Sequence, residues 1–195
     1  MSAAERRPAL IEAGLRVIAR EGIAGASTRA IVAEAGMSLA SFHYAFASRE
    51  AFLDELIASV VAREEAAVLP VAEGEGDLRD LLEAGLAGYL DHLRADPAHE
   101  QAMLELTQYA LRDPDRHPLA TAQYRRYAEL AEQALTLAAE RTGATWRRPV
   151  AEVAAVLVAF TDGITMTWLV HRDDAAARAT ALAAADALAR MADPQ

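Results

Sequence analysis

The stretch STRAIVAEAGMSLASFHYAFASRE, from Ser27 to Glu50, constrains this chain more than any other. Ser27 and Thr28 carry hydroxyls able to accept a backbone N–H at a helix start, and no breaker interrupts Arg29 to Ala35, so a helix of about two turns is predicted. Gly36 follows where the chain must reverse, and a residue without a Cβ can take the left-handed conformation that closes a helix. Ser38 can cap the next helix. Ile31 with Ala35, and Phe42 with Phe46, fall at i, i+4 spacing, which gives each short helix one apolar stripe for its neighbours to cover. Met37 plugs the corner. Two short helices crossing through a glycine turn form a helix-turn-helix, whose second helix can lie in a DNA major groove.

Charge has to be read by position. The net charge of −10 suits a DNA binder poorly as a sum. Residues 1–50, however, hold six arginines against five glutamates, a balance of +1, which leaves −11 for the remainder. The acidic excess thus lies outside the proposed reading head. Every cationic side chain is Arg, a residue suited to bidentate phosphate contacts. The chain has no cysteine, which excludes disulfides and thiolate metal sites and permits a reducing compartment. The N-terminus MSAAERRPALIEAG lacks the charged start, apolar run and cleavage site of a secretion signal, so a cytoplasmic protein is expected.

The rest of the chain reads as helices. A first helix is expected from Glu5 to about Arg20, with Arg6 and Arg7 as an arm able to touch phosphates. Ser48 caps a longer helix to about Leu69, with Phe52, Leu53, Leu56, Ile57, Val60 and Val61 on its apolar face, ending at Pro70. Residues 71–77, VAEGEGD, form a linker by glycine and acid content. Further helices are placed at about 78–94, 98–112, 115–141, 149–171 and 174–191, separated by Asp96-Pro97, Asp113-Pro114, Gly143 with Pro149, and Asp173-Asp174. No alternating strand pattern is visible. The fold class expected is all-α, with about nine helices. Val153 to Val170 is nearly unbroken apolar sequence, yet Asp162 at its centre would cost about 2.5 to 3.5 kcal/mol in a bilayer, so a covered helix of a soluble protein is expected.

These residues resemble the N-terminal DNA-binding domain of TetR-family transcriptional regulators. The resemblance is carried by Thr28, by Ala35-Gly36-Met37-Ser38, by Phe42-His43-Tyr44-Ala45-Phe46 and by Ser48-Arg49-Glu50. Leu10, Gly14, Val17 and Ile18, before the Arg20-Glu21-Gly22 stop, match its first helix. It covers residues 5–60 closely and the rest in layout. It implies a three-helix DNA-binding domain over residues 1–50 and a helical ligand-binding and dimerisation domain over residues 51–195. By position in the motif, Thr28, Tyr44 and Arg49 are expected at phosphates, with Arg29 also in the DNA-binding set. Ser38, Leu39, Ala40, Ser41 and His43 occupy the start and outward face of the recognition helix. Leu39 stands where a basic or polar residue is common in the family, and Ala45 replaces the usual His. Modest affinity per head is therefore expected, with two heads about one helical turn apart on a near-palindromic operator.

The same layout implies that the last two helices pair with those of a second copy in a four-helix bundle. Val153, Leu157, Gly163, Ala177, Thr180, Ala181, Ala184 and Ala187 are the expected seam. It also implies a cavity in the body, with Tyr89, His92, Met103, Leu106, Thr107, Tyr109, Tyr124, Phe160, Thr161, Thr165, Met166 and Trp168 as candidates for its lining. Such a lining favours a small, largely hydrophobic effector whose binding releases a repressor from DNA. No cofactor is expected. An enzyme would need a convergent constellation, and the chain has no Gly-rich phosphate loop, no His-Glu-x-x-His and no Gly-x-Ser-x-Gly. His92 and His99 are divided by Asp96-Pro97, which argues against one metal-binding helix face. The rival reading is a helical protein-interaction module or small-molecule binder without sequence-specific DNA binding.

Overall fold

The computed structural model describes residues 3–59, 76–112 and 114–193, and among these it holds nine α-helices. They are α1 (Ala3–Gly25), α2 (Thr28–Glu34), α3 (Leu39–Ala45), α4 (residues 49–59), α5 (Leu78–Ala95), α6 (Pro97–Leu111), α7 (His117–Thr142), α8 (Val150–His171) and α9 (Asp174–Ala189). The all-α expectation holds. Val60 to Pro70, most of the expected linker and Asp113 lie outside the described residues.

Two details add to the sequence reading. The stop expected at Arg20-Glu21-Gly22 is present as a kink: Gly22 leaves helical geometry with φ +69° and ψ 171°, and a further short helical piece runs on to Gly25. A residue without a Cβ adopts that positive φ at little cost, and buried Ile23 and Ala26 anchor the piece that follows. Also, Thr145–Trp146 (β1) pairs antiparallel with Ala192–Asp193 (β2). Two residues per strand are too few to leave an alternation in the sequence. The pairing is held by the Arg147 N–H to the Met191 carbonyl at 2.9 Å and by the Arg147 side chain to Asp193 at 2.7 Å.

Contacts gather the chain into two compact units, residues 1–60 with 96–123, and residues 61–95 with 124–195. The first unit runs past residue 50, where Phe52, Leu53 and Leu56 of α4 are buried and Phe52 meets Phe42 and Phe46. In the first unit α6 packs along α1. Phe42, Phe46 and Phe52 meet there with centroids 5.1 to 5.4 Å apart, in tilted and edge-on geometries that aromatic rings favour. Gly14 is required beside them, since a Cβ there would overlap the tip of the Phe52 ring.

In the second unit α9 packs on both α5 and α8. Its core runs from Leu82, Leu86, Leu90 and Leu93 of α5 to Val153, Ile164 and Trp168 of α8 and Ala181, Ala184 and Leu188 of α9. Arg79 ties α5 to Asp186 of α9 at 2.6 Å, and Arg94 ties it to Asp174 at 2.6 Å. Helix α8 is long and apolar enough by composition to cross a membrane, with mean hydropathy 1.8. Its Asp162 is bound to Tyr124 of α7.

Candidate nucleic-acid interface and effector cluster

The corner between α2 and α3 is built by backbone hydrogen bonds. Ser27 caps α2, its Oγ accepting from the Ala30 N–H at 3.1 Å. At the other end the Met37 N–H donates to the Val32 carbonyl at 2.8 Å and the Gly36 N–H to that of Ala33 at 3.1 Å. These two bonds form a Schellman closure, which needs a left-handed residue, and Gly36 supplies φ +64°. A Cβ at Gly36 would meet no atom within 4 Å, so conformation alone demands glycine there. Ser38 then caps α3 by accepting from the Ser41 N–H at 3.3 Å.

Helix α3 divides its residues cleanly. Phe42 and Ala45 are buried, whereas Ser38, Leu39, Ala40, His43 and Tyr44 face solvent, Leu39 at 39 % and Tyr44 at 73 % exposure. Ser38 and Ser41 share a hydrogen bond of 3.1 Å between their hydroxyls, so both are partly engaged within the helix start. Thr28 is half-exposed at the first turn of α2, and Arg29 beside it is exposed.

Most arginines near this face are held by the protein itself. Arg16 and Arg20 of α1 both bind Glu34 of α2, at 2.8 and 3.2 Å, and hold its carboxyl below the usual range. Arg7 pairs with Glu55 at 2.6 Å and lies over the Phe46 ring. Arg6 lies over the Tyr44 ring, 5.8 Å from its centroid. Arg49, expected at phosphate, turns inward instead. Its guanidinium donates to the Ile23 carbonyl at 2.8 Å, the Ala26 carbonyl at 3.3 Å and the Tyr109 hydroxyl at 3.2 Å. Those carbonyls end α1 and lead into α2, where they lack helical partners, and a guanidinium satisfies several at once. Among the described residues Arg29 forms no ion pair, which leaves it the cation of α2 open to a phosphate.

The residues proposed for an effector are divided between the two units. Met103, Leu106 and Thr107 are buried in the first unit, with the Thr107 hydroxyl bonded to Gln123 and to the Met103 carbonyl. Tyr109 is stacked under Arg116, 4.4 Å from its centroid, and bonds Arg49. In the second unit Trp168 locks the α8–α9 turn, its Nε1 donating to Asp174 at 2.8 Å with Arg172 over its ring. Met166 points to solvent at 47 % exposure. Phe160 is half-buried against the second core, Thr161 bonds back to the Val158 carbonyl, and His92 is half-buried on α5.

What does converge is smaller. The Tyr89 hydroxyl of α5 meets the Thr165 hydroxyl of α8, and the Tyr124 hydroxyl of α7 donates to Asp162 of α8 at 2.9 Å. Asp162 and Thr165 stand one turn apart on the same side of α8. Tyr127 stands edge-on to Tyr124 at 5.7 Å. Burial pushes the Asp162 carboxyl up, and the Tyr124 bond pulls it part of the way back. The Tyr124 phenol is pushed up to about 12 by burial and by the charge of Asp162. Asp162 is absent from the residues proposed for a ligand, although its signal was plain: it is the one charged residue between Glu152 and His171.

Burial also sorts the proposed seam. Val153, Ala177, Ala181 and Ala184 lie inside the second unit with no surface to offer another chain. Gly163 and Thr180 are exposed, and Leu157 and Ala187 half-exposed. They share the outer faces of α8 and α9 with exposed Val156, Met166 and Val170.

Comparison with known proteins agrees at both ends of the chain. The family model for bacterial regulatory proteins of the tetR family matches residues 10–56, and that for the C-terminal part of BetI-type transcriptional repressors matches residues 78–193. A nicotine-responsive helix-turn-helix transcriptional repressor, HdnoR of Paenarthrobacter nicotinovorans, is 27 % identical over 174 residues, 89 % of each chain. A crystal structure described as a putative TetR-family regulator from Rhodococcus sp. superposes with TM-score 0.81 at 24 % identity, covering 95 % of this chain and 98 % of that one. FadR from Bacillus subtilis, solved in complex with stearoyl-CoA, superposes with TM-score 0.75 at 16 % identity, covering 93 % and 96 %.

Proposed function

Since this chain belongs to the tetR family of bacterial regulatory proteins, we propose that it is a cytoplasmic repressor that binds a near-palindromic operator as a homodimer and leaves it when a small, largely apolar effector binds. The observation that carries the reading is the division of α3, where Phe42 and Ala45 anchor the helix and Leu39, Ala40, His43 and Tyr44 stand free of the core. In this reading residues 1–50 read DNA and residues 51–195 take the effector and the second copy.

Thr28 and Tyr44 then flank the groove at phosphates with Arg29, while Ser38, Leu39, Ala40, Ser41 and His43 meet base edges. Leu39 and Ala40 suit thymine methyls, and His43 and the serines can hydrogen-bond. With few unpaired cations per head, a single copy binds weakly, and two copies on one duplex supply the affinity. The nicotine-responsive relative supports a small-molecule effector.

The exposed faces of α8 and α9 support the dimer. Val156, Gly163, Met166, Val170 and Thr180 give an apolar, small-residue surface, and a second copy can cover it through the same patch about a two-fold axis.

Selection from a random duplex pool, followed by titration of the recovered sequence across salt, tests the reading. A near-palindromic sequence bound with an affinity that falls linearly in log[salt] is expected. No duplex binding at low salt would leave the interaction-module reading in its place.

A further inference from the structure

Arg6 and Arg7 are adjacent in α1, and the structure gives them different partners. Consecutive side chains leave a helix in different directions. Arg7 turns to Glu55 of α4 at 2.6 Å and lies over the ring of Phe46, 5.3 Å from its centroid. Phe46 is buried, so this cation closes the aromatic core of the first unit. Arg6 turns to α3 instead, where its guanidinium lies 5.8 Å from the centroid of the Tyr44 ring.

Tyr44 is 73 % exposed, more than any other large apolar side chain among the described residues. A cation over so exposed a ring contributes about 0.5 to 1 kcal/mol, too little for the fold to depend on it. It is enough to bias a long side chain that otherwise spreads over many rotamers. A guanidinium carries five N–H donors in a rigid fork, so one held over a ring face still has N–H groups to give an anion. The phenol hydroxyl stands at the tip of the same ring. A charged donor and a neutral one are thus presented together, and phosphate oxygens accept from both kinds.

The electrostatics of this face call for such a cation. Glu34 takes up Arg16 and Arg20, Glu55 takes up Arg7, and Arg49 is turned to backbone carbonyls and Tyr109. Helix α3, from Leu39 to Ala45, contains neither Arg nor Lys. A duplex met by α3 therefore takes positive charge from neighbouring elements. Arg29 brings one to the start of α2, and Arg6 brings one to the C-terminal end of α3, where the partial negative charge of the helix end by itself repels phosphate.

We propose that Arg6 and Tyr44 together bind one backbone phosphate of the duplex, with Tyr44 acting both as the platform for Arg6 and as its co-donor. This deepens the reading of α3 as the helix that enters the groove and rests on it. The contact carries charge and no base identity, so it positions the head and strengthens binding to every duplex alike. Arg7, one residue along, belongs to the fold.

The test titrates the full chain into the selected near-palindromic duplex and into a random duplex, each across salt. Arg6→Ala is expected to weaken both by a similar factor, about fivefold per bound head, and to make the slope of log K against log[salt] shallower by about 1 per head. Arg6→Lys keeps the charge and is expected to restore the slope, and Arg7→Ala to leave it unchanged. Tyr44→Phe keeps the ring and loses the hydroxyl, so affinity is expected to fall with the slope held. Arg6→Ala combined with Tyr44→Ala is expected to lose less than the product of the two single losses, as groups acting on one phosphate do. An Arg6→Ala variant whose slope matches the wild type, with or without a lowered melting temperature, would overturn the pair, and so would single losses that simply multiply. Binding of the selected duplex with Arg6→Ala unchanged refutes the pair and keeps the repressor. Duplex binding without sequence preference, in which Arg6→Ala still flattens the slope, refutes the operator reading and keeps the pair. No duplex binding at low salt refutes both.

Discussion

Two glycines in the first unit look alike in sequence and are held by different physics. Gly36 has open space where a Cβ would go and a left-handed φ, so Gly36→Ala should cost about 1 to 2 kcal/mol in urea unfolding through conformation alone. Gly14 has helical neighbours and the Phe52 ring against it, so Gly14→Ala should cost about 1 to 3 kcal/mol through overpacking, and trimming Phe52→Leu should recover part of it. Arg29 and Arg49 form a second contrasting pair. Arg29→Ala is expected to make the slope of log K against log[salt] shallower by about 1 with little change in stability. Arg49→Ala should leave the slope unchanged and lower stability by about 1.5 to 3 kcal/mol, because it removes charged hydrogen bonds to Ile23, Ala26 and Tyr109. The sequence marked all four positions as special. It gave Gly36 its left-handed role, which is local, but did not separate Arg29 from Arg49, because whether a side chain turns outward depends on partners such as Tyr109 that are sixty residues away.

At the scale of elements, helix positions were legible because caps and breakers are local. Ser27, Ser38, Ser48 and Asp173 each accept a backbone N–H at the helix starts where they were expected to matter. What escaped was non-local: the β1–β2 pairing, and the inward face of α9, whose alanines look equivalent until packing sorts them. Helix α8 carries a titrating group whose effect on the fold has a definite sign. The Asp162 carboxyl is raised in the folded chain above its unfolded value, so folding holds that proton to higher pH. Stability attributable to this group is full below the unfolded value and is lost as pH rises through the raised one. Thermal unfolding of Asp162→Asn against pH should therefore show a flatter decline across that window than the wild type. Tyr124→Phe, by removing the bond that lowers the carboxyl, should move the wild-type decline to higher pH.

At the scale of the whole chain, the acidic excess and the apolar outer faces of α8 and α9 bear on assembly. If a second copy covers these faces, placing charges there should separate the copies. Val156→Glu with Val170→Glu is expected to halve the mass in sedimentation and to weaken duplex binding, since one head alone carries few free cations. A variant that keeps the wild-type mass would place the seam elsewhere. The cleanness with which α3 separates anchoring from exposed residues has a consequence beyond any one operator. Leu39 and Ala40 are exposed and the exposed His43 stands edge-on to the Phe42 ring at 5.9 Å, so exchanging them leaves the buried anchors Phe42 and Ala45 in place. A lineage descended from this protein can change which promoter it silences through a handful of codons, with no repair needed underneath.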